Sequence, residues 1–254
     1  MDKVHELFSL NGLRIIVTGA SSGLGLNMAI MLAECGATVF GMSRSGKVKT
    51  EYSGELPKNL FFDRLDVTYE EEVSNKFNEI GANGGIDVLI NNAGINLRKP
   101  AGEIIPDDLN NVFQVNVNGA FHCCKHAYSF LKNSRHTGRI INITSMAAYL
   151  GFSEILPYTS SKSALLGLTR GLAVEWAKEN ILVNSVSPGW FPSELNKVVM
   201  DEERERRILN RMPLHRFGRP EELSPIICFL ASQASTYITG QDFSVDGGAL
   251  AYGY

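Results

Sequence analysis

An α/β fold, with a parallel sheet covered by helices on both faces, is predicted by three features of the chain. Short β-branched runs alternate with helix-like stretches along its whole length. The first run, residues 13–18, passes directly into a glycine-rich turn, residues 18–25, and then into an apolar helix-like stretch. A later run, residues 138–145, delivers a polar residue, Ser145, to its C-terminal end, where open α/β sheets bind their ligands.

A chain of 254 residues suits a single domain, 1–254, with a substantial core. Its 24 basic and 27 acidic residues leave a net charge of −3, and no basic field for nucleic acid stands out. No apolar stretch approaches the ~18 residues that mark a membrane span. The first residues are mixed in charge, unlike a signal peptide. Four cysteines without framework spacing fit a reducing, cytoplasmic setting.

The glycine turn Gly19-Ala20-Ser21-Ser22-Gly23-Leu24-Gly25 lies between strand and helix. There the backbone can approach a pyrophosphate, and the helix N-terminus offers it N–H groups. The second strand ends at Ser43-Arg44. A carboxylate at that point would accept the ribose hydroxyls of NAD. A guanidinium there suits a 2′-phosphate, so NADP(H) is the expected cofactor and NAD(H) the lesser one. A third strand runs from Leu60 to Asp66 and Val67, with Asp66 placed either to meet adenine or to cap the next helix. A fourth, residues 87–91, leads into Asn92-Ala93-Gly94, small enough for a flat ring to lie against the backbone.

Residues 104–133 form one long helix or two, containing Asn116 and the pair His122 and His126. That i, i+4 pair has metal-ligand spacing, but no third ligand is evident, so no metal is expected. The helix that begins near Pro157 places Tyr158 and Lys162 at i and i+4 on one face. A free phenol has a pKa near ~10, and a neighbouring ammonium favours its phenolate. A sixth strand runs into Pro188-Gly189, followed by a charged helical lid at about 190–216, a helix near 220–232 and a last strand at 242–245.

Taken in order, the glycine turn, Asn91-Asn-Ala-Gly94, Asn116, Ser145, Tyr158-x-x-x-Lys162, Pro188-Gly189 and Val245-Asp-Gly-Gly248 resemble the short-chain dehydrogenase/reductase family over essentially the whole chain. Leu24 and Ser193 replace the commoner isoleucine and threonine. The resemblance implies a Rossmann fold with a seven-stranded parallel sheet. It implies that Tyr158 is the general acid or base, that Ser145 binds the substrate oxygen, and that Lys162 holds the nicotinamide ribose and lowers the phenol pKa. By the same resemblance, Asn116 would order a water in a proton relay, and the following assignments would hold. Gly19, Ser21, Ser22, Gly23 and Leu24 line the pyrophosphate side; Asp66 and Val67 meet adenine; Asn92, Ala93 and Gly94 lie near adenosine and ribose; Pro188, Gly189, Phe191 and Ser193 flank the nicotinamide. Family members are often homotetramers or homodimers.

Within the family, residues 8–13, 91–100, 175–181 and 211–220 resemble gluconate 5-dehydrogenases and deoxygluconate 3-dehydrogenases. The expected substrate is therefore a sugar acid or another small polyhydroxylated molecule. Arg98 is the candidate anchor for its carboxylate, ahead of Arg204, Arg207, Arg211 and His215. The alternatives are a 3-oxoacyl-[acyl-carrier-protein] reductase, with Arg139 and the lid arginines as its basic face, an apolar-ketone reductase, and a dinucleotide-sensing regulator without turnover.

Overall fold

The computed structural model describes residues 3–49, 52–191 and 202–252. Seven strands form one parallel sheet: β1 (Arg14–Thr18), β2 (Thr38–Ser43), β3 (Leu60–Arg64), β4 (Val88–Asn91), β5 (Gly138–Ile143), β6 (Ile181–Pro188) and β7 (Asp242–Val245). Their spatial order is β3-β2-β1-β4-β5-β6-β7. The chain builds outwards from β1 to β3, then crosses back so that β4 pairs with the free edge of β1, Ile15 opposite Val88. This reversal opens a crevice beyond the C-terminal ends of β1 and β4.

Strand residues alternate between two cores, as a pleated sheet buried on both faces requires. Ile15, Val17, Val88, Ile90, Ile141 and Ile143 pack with Met28 and Leu32 of α2 (Gly23–Glu34) and with Ile227 and Leu230 of α8 (Pro220–Ala231). Ile16, Leu89, Ile140 and Val183 face the opposite way. They meet Phe77 of α3 (Glu70–Ala82), Cys123 and Ala127 of α5 (Gly119–Lys132), and Leu172 of α6 (Leu156–Trp176). A short helix, α1 (Lys3–Phe8), sets the Phe8 ring 6.2 Å from that of Phe229 on α8. Among the described residues no helix is long and apolar enough to cross a membrane.

Several boundaries differ from the sequence expectation for local reasons. β3 stops at Arg64, short of Asp66, because Asp66 Oδ1 accepts from the Thr68 N–H and hydroxyl and turns the chain. β5 stops at Ile143, and Ser145 caps a 3₁₀ turn over Met146–Ala148 by accepting from the Ala147 N–H. Residues 106–132 form one rod in three parts: α4 (Pro106–Phe113), a π turn at Gln114–Asn118, and α5. Of the stretch expected to form a lid, 190–216, residues Glu202–Asn210 form α7, and 192–201 lie outside the described residues. Ser193 and the side chain of Arg204 lie outside the described residues.

Gly25 brings α2 against the sheet where the crevice begins. A Cβ there would stand 2.2 Å from the Gly19 carbonyl oxygen and 2.4 Å from Asn92 Nδ2. Neither group can retreat, since both hold the turn. Gly25→Ala is expected to lower unfolding stability by about 1–3 kcal/mol in a urea titration. An unchanged midpoint would mean that the turn has slack the packing does not reveal.

Candidate active site

The two turns at the floor of the crevice are tied together by a reciprocal staple. Thr18 Oγ1 accepts from the backbone N–H groups of Asn92 and Ala93, each at 3.0 Å. Asn92 Nδ2 donates back to the carbonyls of Thr18 and Gly19 at 3.0 and 3.1 Å. The side chain of Asn92 therefore holds the glycine turn, and what the 92–94 turn offers a ligand is backbone. Gly19 adopts φ +69° and Gly23 φ +57°, both in the left-handed region that favours glycine. Open space stands in front of Gly23, and Ser22 enters α2 in extended conformation with Leu24 packed inward. The segment after β2 returns to this turn, the Lys49 N–H donating to the Ser21 carbonyl at 2.9 Å. Ser43 is buried and accepts from the Gly46 N–H at 3.1 Å, whereas Arg44 is exposed at the strand end.

Tyr158 sits in the first turn of α6, where Pro157 sets the helical φ at no cost in hydrogen bonds. Burial raises the Tyr158 pKa, and a hydrogen bond with Ser145 opposes that rise. The net direction is upward, although Lys162 lies one helical turn away. The Lys162 ammonium stands 5.6 Å from the centre of the phenol ring and donates to the Ile143 carbonyl at 2.7 Å. It is itself 4% exposed, and burial alone lowers its pKa to about 8.

Asn116 lies in the π turn and is buried. Its Oδ1 accepts from the Ile95 N–H at 2.8 Å, while Nδ2 donates to the Ile95 carbonyl and to Ser161 Oγ, each at 2.9 Å. Ser161 in turn donates to the Tyr158 carbonyl at 2.8 Å. Both amide hydrogens of Asn116 are thus used, which leaves the second Oδ1 lone pair for a water. A Cβ on Gly94 would lie 3.3 Å from Asn116 Oδ1 and 3.6 Å from Lys162 Nζ. The 92–94 turn, Asn116 and Lys162 therefore meet at one point.

Other expectations fare differently. Val67 is buried against Gly119, and its carbonyl contacts His122 Nδ1 at 3.0 Å. His126 Nε2 faces Glu70 instead, so the two histidines diverge. Pro188 pairs with Val245, and Gly189 lies against the backbone of Asp246. Phe191 is buried in the α2/α8 core and packs on Gly218. Arg139 cannot form a basic docking face: it is 1% exposed and starts β5, at the opposite end of the strand from Ser145. Of the lid candidates, Arg207 lies 4.0 Å from Glu203, Arg211 is exposed, and His215 Nδ1 meets the Leu209 carbonyl.

Three features escaped the sequence reading. Glu154 adopts φ +67° and binds Arg98 through Oε2 at 2.6 Å, while its carbonyl accepts from the Lys99 N–H. Phe152 and Trp190 meet edge to face at 6.2 Å. Ser161 links Tyr158 to Asn116. A positive φ at glutamate leaves no mark in composition, and contacts between distant loops leave no local period.

Comparison with known proteins places this arrangement. A family profile described as Enoyl-(Acyl carrier protein) reductase matches residues 19–249. A 2-dehydro-3-deoxy-D-gluconate 5-dehydrogenase of Dickeya dadantii (strain 3937) is 37% identical over 254 residues, covering 98% of this chain and 99% of that protein. The chain belongs to the short-chain dehydrogenase/reductase family. It is an NAD(P)-dependent oxidoreductase. Gluconate 5-dehydrogenase of Gluconobacter oxydans (strain 621H) is 38% identical over 248 residues, with 96% of each chain covered. The solved structure of a gluconate 5-dehydrogenase from Burkholderia cenocepacia J2315, in complex with NADP and tartrate, superposes with a TM-score of 0.90 at 34% identity, over 98% of this chain and 99% of that one.

The residues present fit a dinucleotide. The glycines at positions 19 and 25 are cradle positions where a Cβ would collide, and the Lys162 ammonium spends one of its three donors on Ile143, which leaves two for ribose hydroxyls.

Burying the Lys162 ammonium costs stability. Its folded pKa lies below the ordinary 10.5 for lysine, so the unfolded chain binds the extra proton between about pH 8 and 10.5. Stability contributed by this group therefore rises with pH across that window. Lys162→Met is expected to be inactive yet to unfold at higher urea at pH 7, by about 3 kcal/mol before the lost hydrogen bond is subtracted. The gain should shrink as pH rises above 8. A Lys162→Met protein less stable than wild type at pH 7 would contradict the buried-charge account.

Proposed function

We propose that the protein interconverts a secondary alcohol and a ketone on a sugar acid, of the gluconate and 5-ketogluconate kind, with NADP(H) as preferred cofactor. The observation that carries this reading is the full-length similarity to gluconate dehydrogenases, combined with an assembled Asn116, Ser145, Tyr158 and Lys162 set. That set also argues against a sensor without turnover, which needs no phenol beside a buried amine.

When bound, the nicotinamide supplies or accepts the hydride. Tyr158 gives its phenolic proton to the carbonyl oxygen in reduction and takes it back in oxidation. Its raised pKa keeps it protonated at neutral pH, and its hydrogen bond with Ser145 brings two hydroxyls to one side of the reacting oxygen. The Ser145 hydroxyl stabilises charge that develops there. Lys162 binds the ribose and, with a pKa of about 8, passes a proton at neutral pH towards the site that Asn116 orders. Arg44 holds the 2′-phosphate, with Ser43, Asp66 and Val67 bounding the adenosine side. Pro188, Gly189, Phe191 and Ser193 belong to the nicotinamide end, Phe191 through its backbone. The whole chain acts as one domain, with α7 as part of the lid over the substrate. We read it as a cytoplasmic enzyme that self-associates as a homodimer or homotetramer, with a small-molecule substrate.

Arg98 is the anchor for the substrate carboxylate. Its loop and the loop before α6 flank the Tyr158 helix, and Glu154 keeps its guanidinium paired until a substrate carboxylate shares or replaces that partner. The test is a 340 nm screen with both cofactors against gluconate, 5-ketogluconate, deoxygluconate, neutral polyols and an acetoacetyl thioester. Turnover of the thioester alone would reject the sugar-acid reading.

A charge-assisted hydrogen bond contributes about 1.5–3 kcal/mol, or roughly 10- to 150-fold in binding. Arg98→Ala should raise KM for the sugar acid by that factor and leave a neutral polyol unaffected. Equal effects on both would remove Arg98 from the substrate site. Arg44→Ala should raise the NADPH KM by about the same factor while sparing NADH. An unchanged ratio between the cofactors would refute the role given to Arg44.

A further inference from the structure

Cys35 and Cys228 are 193 positions apart in the chain, yet their sulfurs lie 3.9 Å apart. Cys35 caps the C-terminus of α2, and Cys228 sits in the third turn of α8. A second contact fixes the two helices in register: Ser224 Oγ donates to Asn27 Oδ1 at 2.8 Å. The pair is further bounded by the Phe8–Phe229 contact and by the Leu10 N–H, which donates to the Cys35 carbonyl. Both cysteines are free and, unlike the other two, half-buried. The other two cysteines make a contrast. Cys123 and Cys124 are fully buried, and burial raises both thiol pKa values. As successive residues of a helix they also point in different directions.

We propose that Cys35 and Cys228 form a reversible intramolecular disulfide by exchange with an oxidised small-molecule thiol, glutathione disulfide being the class. One protein thiolate attacks a sulfur of glutathione disulfide, forming a mixed disulfide and releasing one glutathione. The second protein thiolate then attacks the protein sulfur of that mixed bond and releases the other glutathione. The protein loses two hydrogens, and glutathione disulfide gains them as two thiols. Burial and the neighbouring Cys35 raise the Cys228 thiol pKa, and either order of attack gives the same balance. Closing the sulfurs from 3.9 Å to a bond of about 2.05 Å needs side-chain rotation within a helix pair already in contact. The bond joins the back of α2, whose front carries the glycine turn, to α8 without touching Tyr158, Lys162 or Asn116. Its effect is therefore on stability. This goes beyond the sugar-acid reading and does not depend on it.

The full-length protein is incubated with graded glutathione disulfide and digested without reduction. The expected product is one linked peptide pair holding Cys35 and Cys228, lighter than the two peptides by two hydrogens and released by dithiothreitol. Cys35→Ser and Cys228→Ser should each lose it and accumulate a glutathione adduct on the remaining thiol. Oxidised wild type should melt higher, by roughly 4–10 °C, with unchanged kcat/KM. Phenylarsine oxide, which chelates two adjacent thiols, should protect both cysteines of the wild type from alkylation, a readout that needs no variant. Only mixed disulfides on wild type, a link between two chains, or full alkylation in the presence of the arsenical would each overturn the proposal. A bond that forms but lowers the melting midpoint would overturn its stabilising role.

Discussion

Everything at the ligand-binding edge depends on two side chains that exchange hydrogen bonds between adjoining turns. Thr18 ends β1 and Asn92 follows β4, and each satisfies backbone groups of the other's turn. Both turns leave the regular ladder at this point, so their N–H and carbonyl groups would otherwise need water or a ligand. Because protein supplies the partners, the two turns stay joined whether or not a dinucleotide is bound. The glycines at 19 and 25 then follow as steric requirements of that closeness.

A second constraint converts this scaffold into a reactive one. The rod of residues 106–132 crosses the site through a π turn, which places Asn116 among Ile95, Ser161 and Gly94. π turns are uncommon and recur at functional sites. Here the irregularity lets one side chain tie the 92–95 turn to α6, the helix that carries Tyr158 and Lys162. The buried amine at the centre costs folding energy, and the surrounding apolar cores of Leu89, Leu172 and their neighbours offset it.

The architecture was legible because its signals are local. Seven short apolar runs, a glycine turn between the first strand and helix, and the i, i+4 spacing of Tyr158 and Lys162 each announce themselves within a few residues. The family order of Asn116, Ser145, Tyr158 and Lys162 supplied the site, and the structure brings these four together. What failed was whatever depends on a partner distant in sequence. Nothing local marks that the Asn92 side chain reaches back to the carbonyls of Thr18 and Gly19. Arg139 was given a surface role, but the strand register buries it. The Glu154 counter-ion of Arg98 and the Cys35–Cys228 contact have no local signature.

The return of β4 to the side of β1 also has a kinetic meaning. Arg14 and Asp87, the residues that anchor the base of this pairing, are 73 positions apart. During synthesis, β1, β2 and β3 emerge first, and the apolar edge formed by Ile15, Ile16 and Val17 stays unpaired until β4 leaves the ribosome. The strand at the heart of the finished sheet is thus the one left open longest in the nascent chain. Non-local parallel pairing of this kind folds slowly, and the exposed edge is where a stalled or crowded chain would join another.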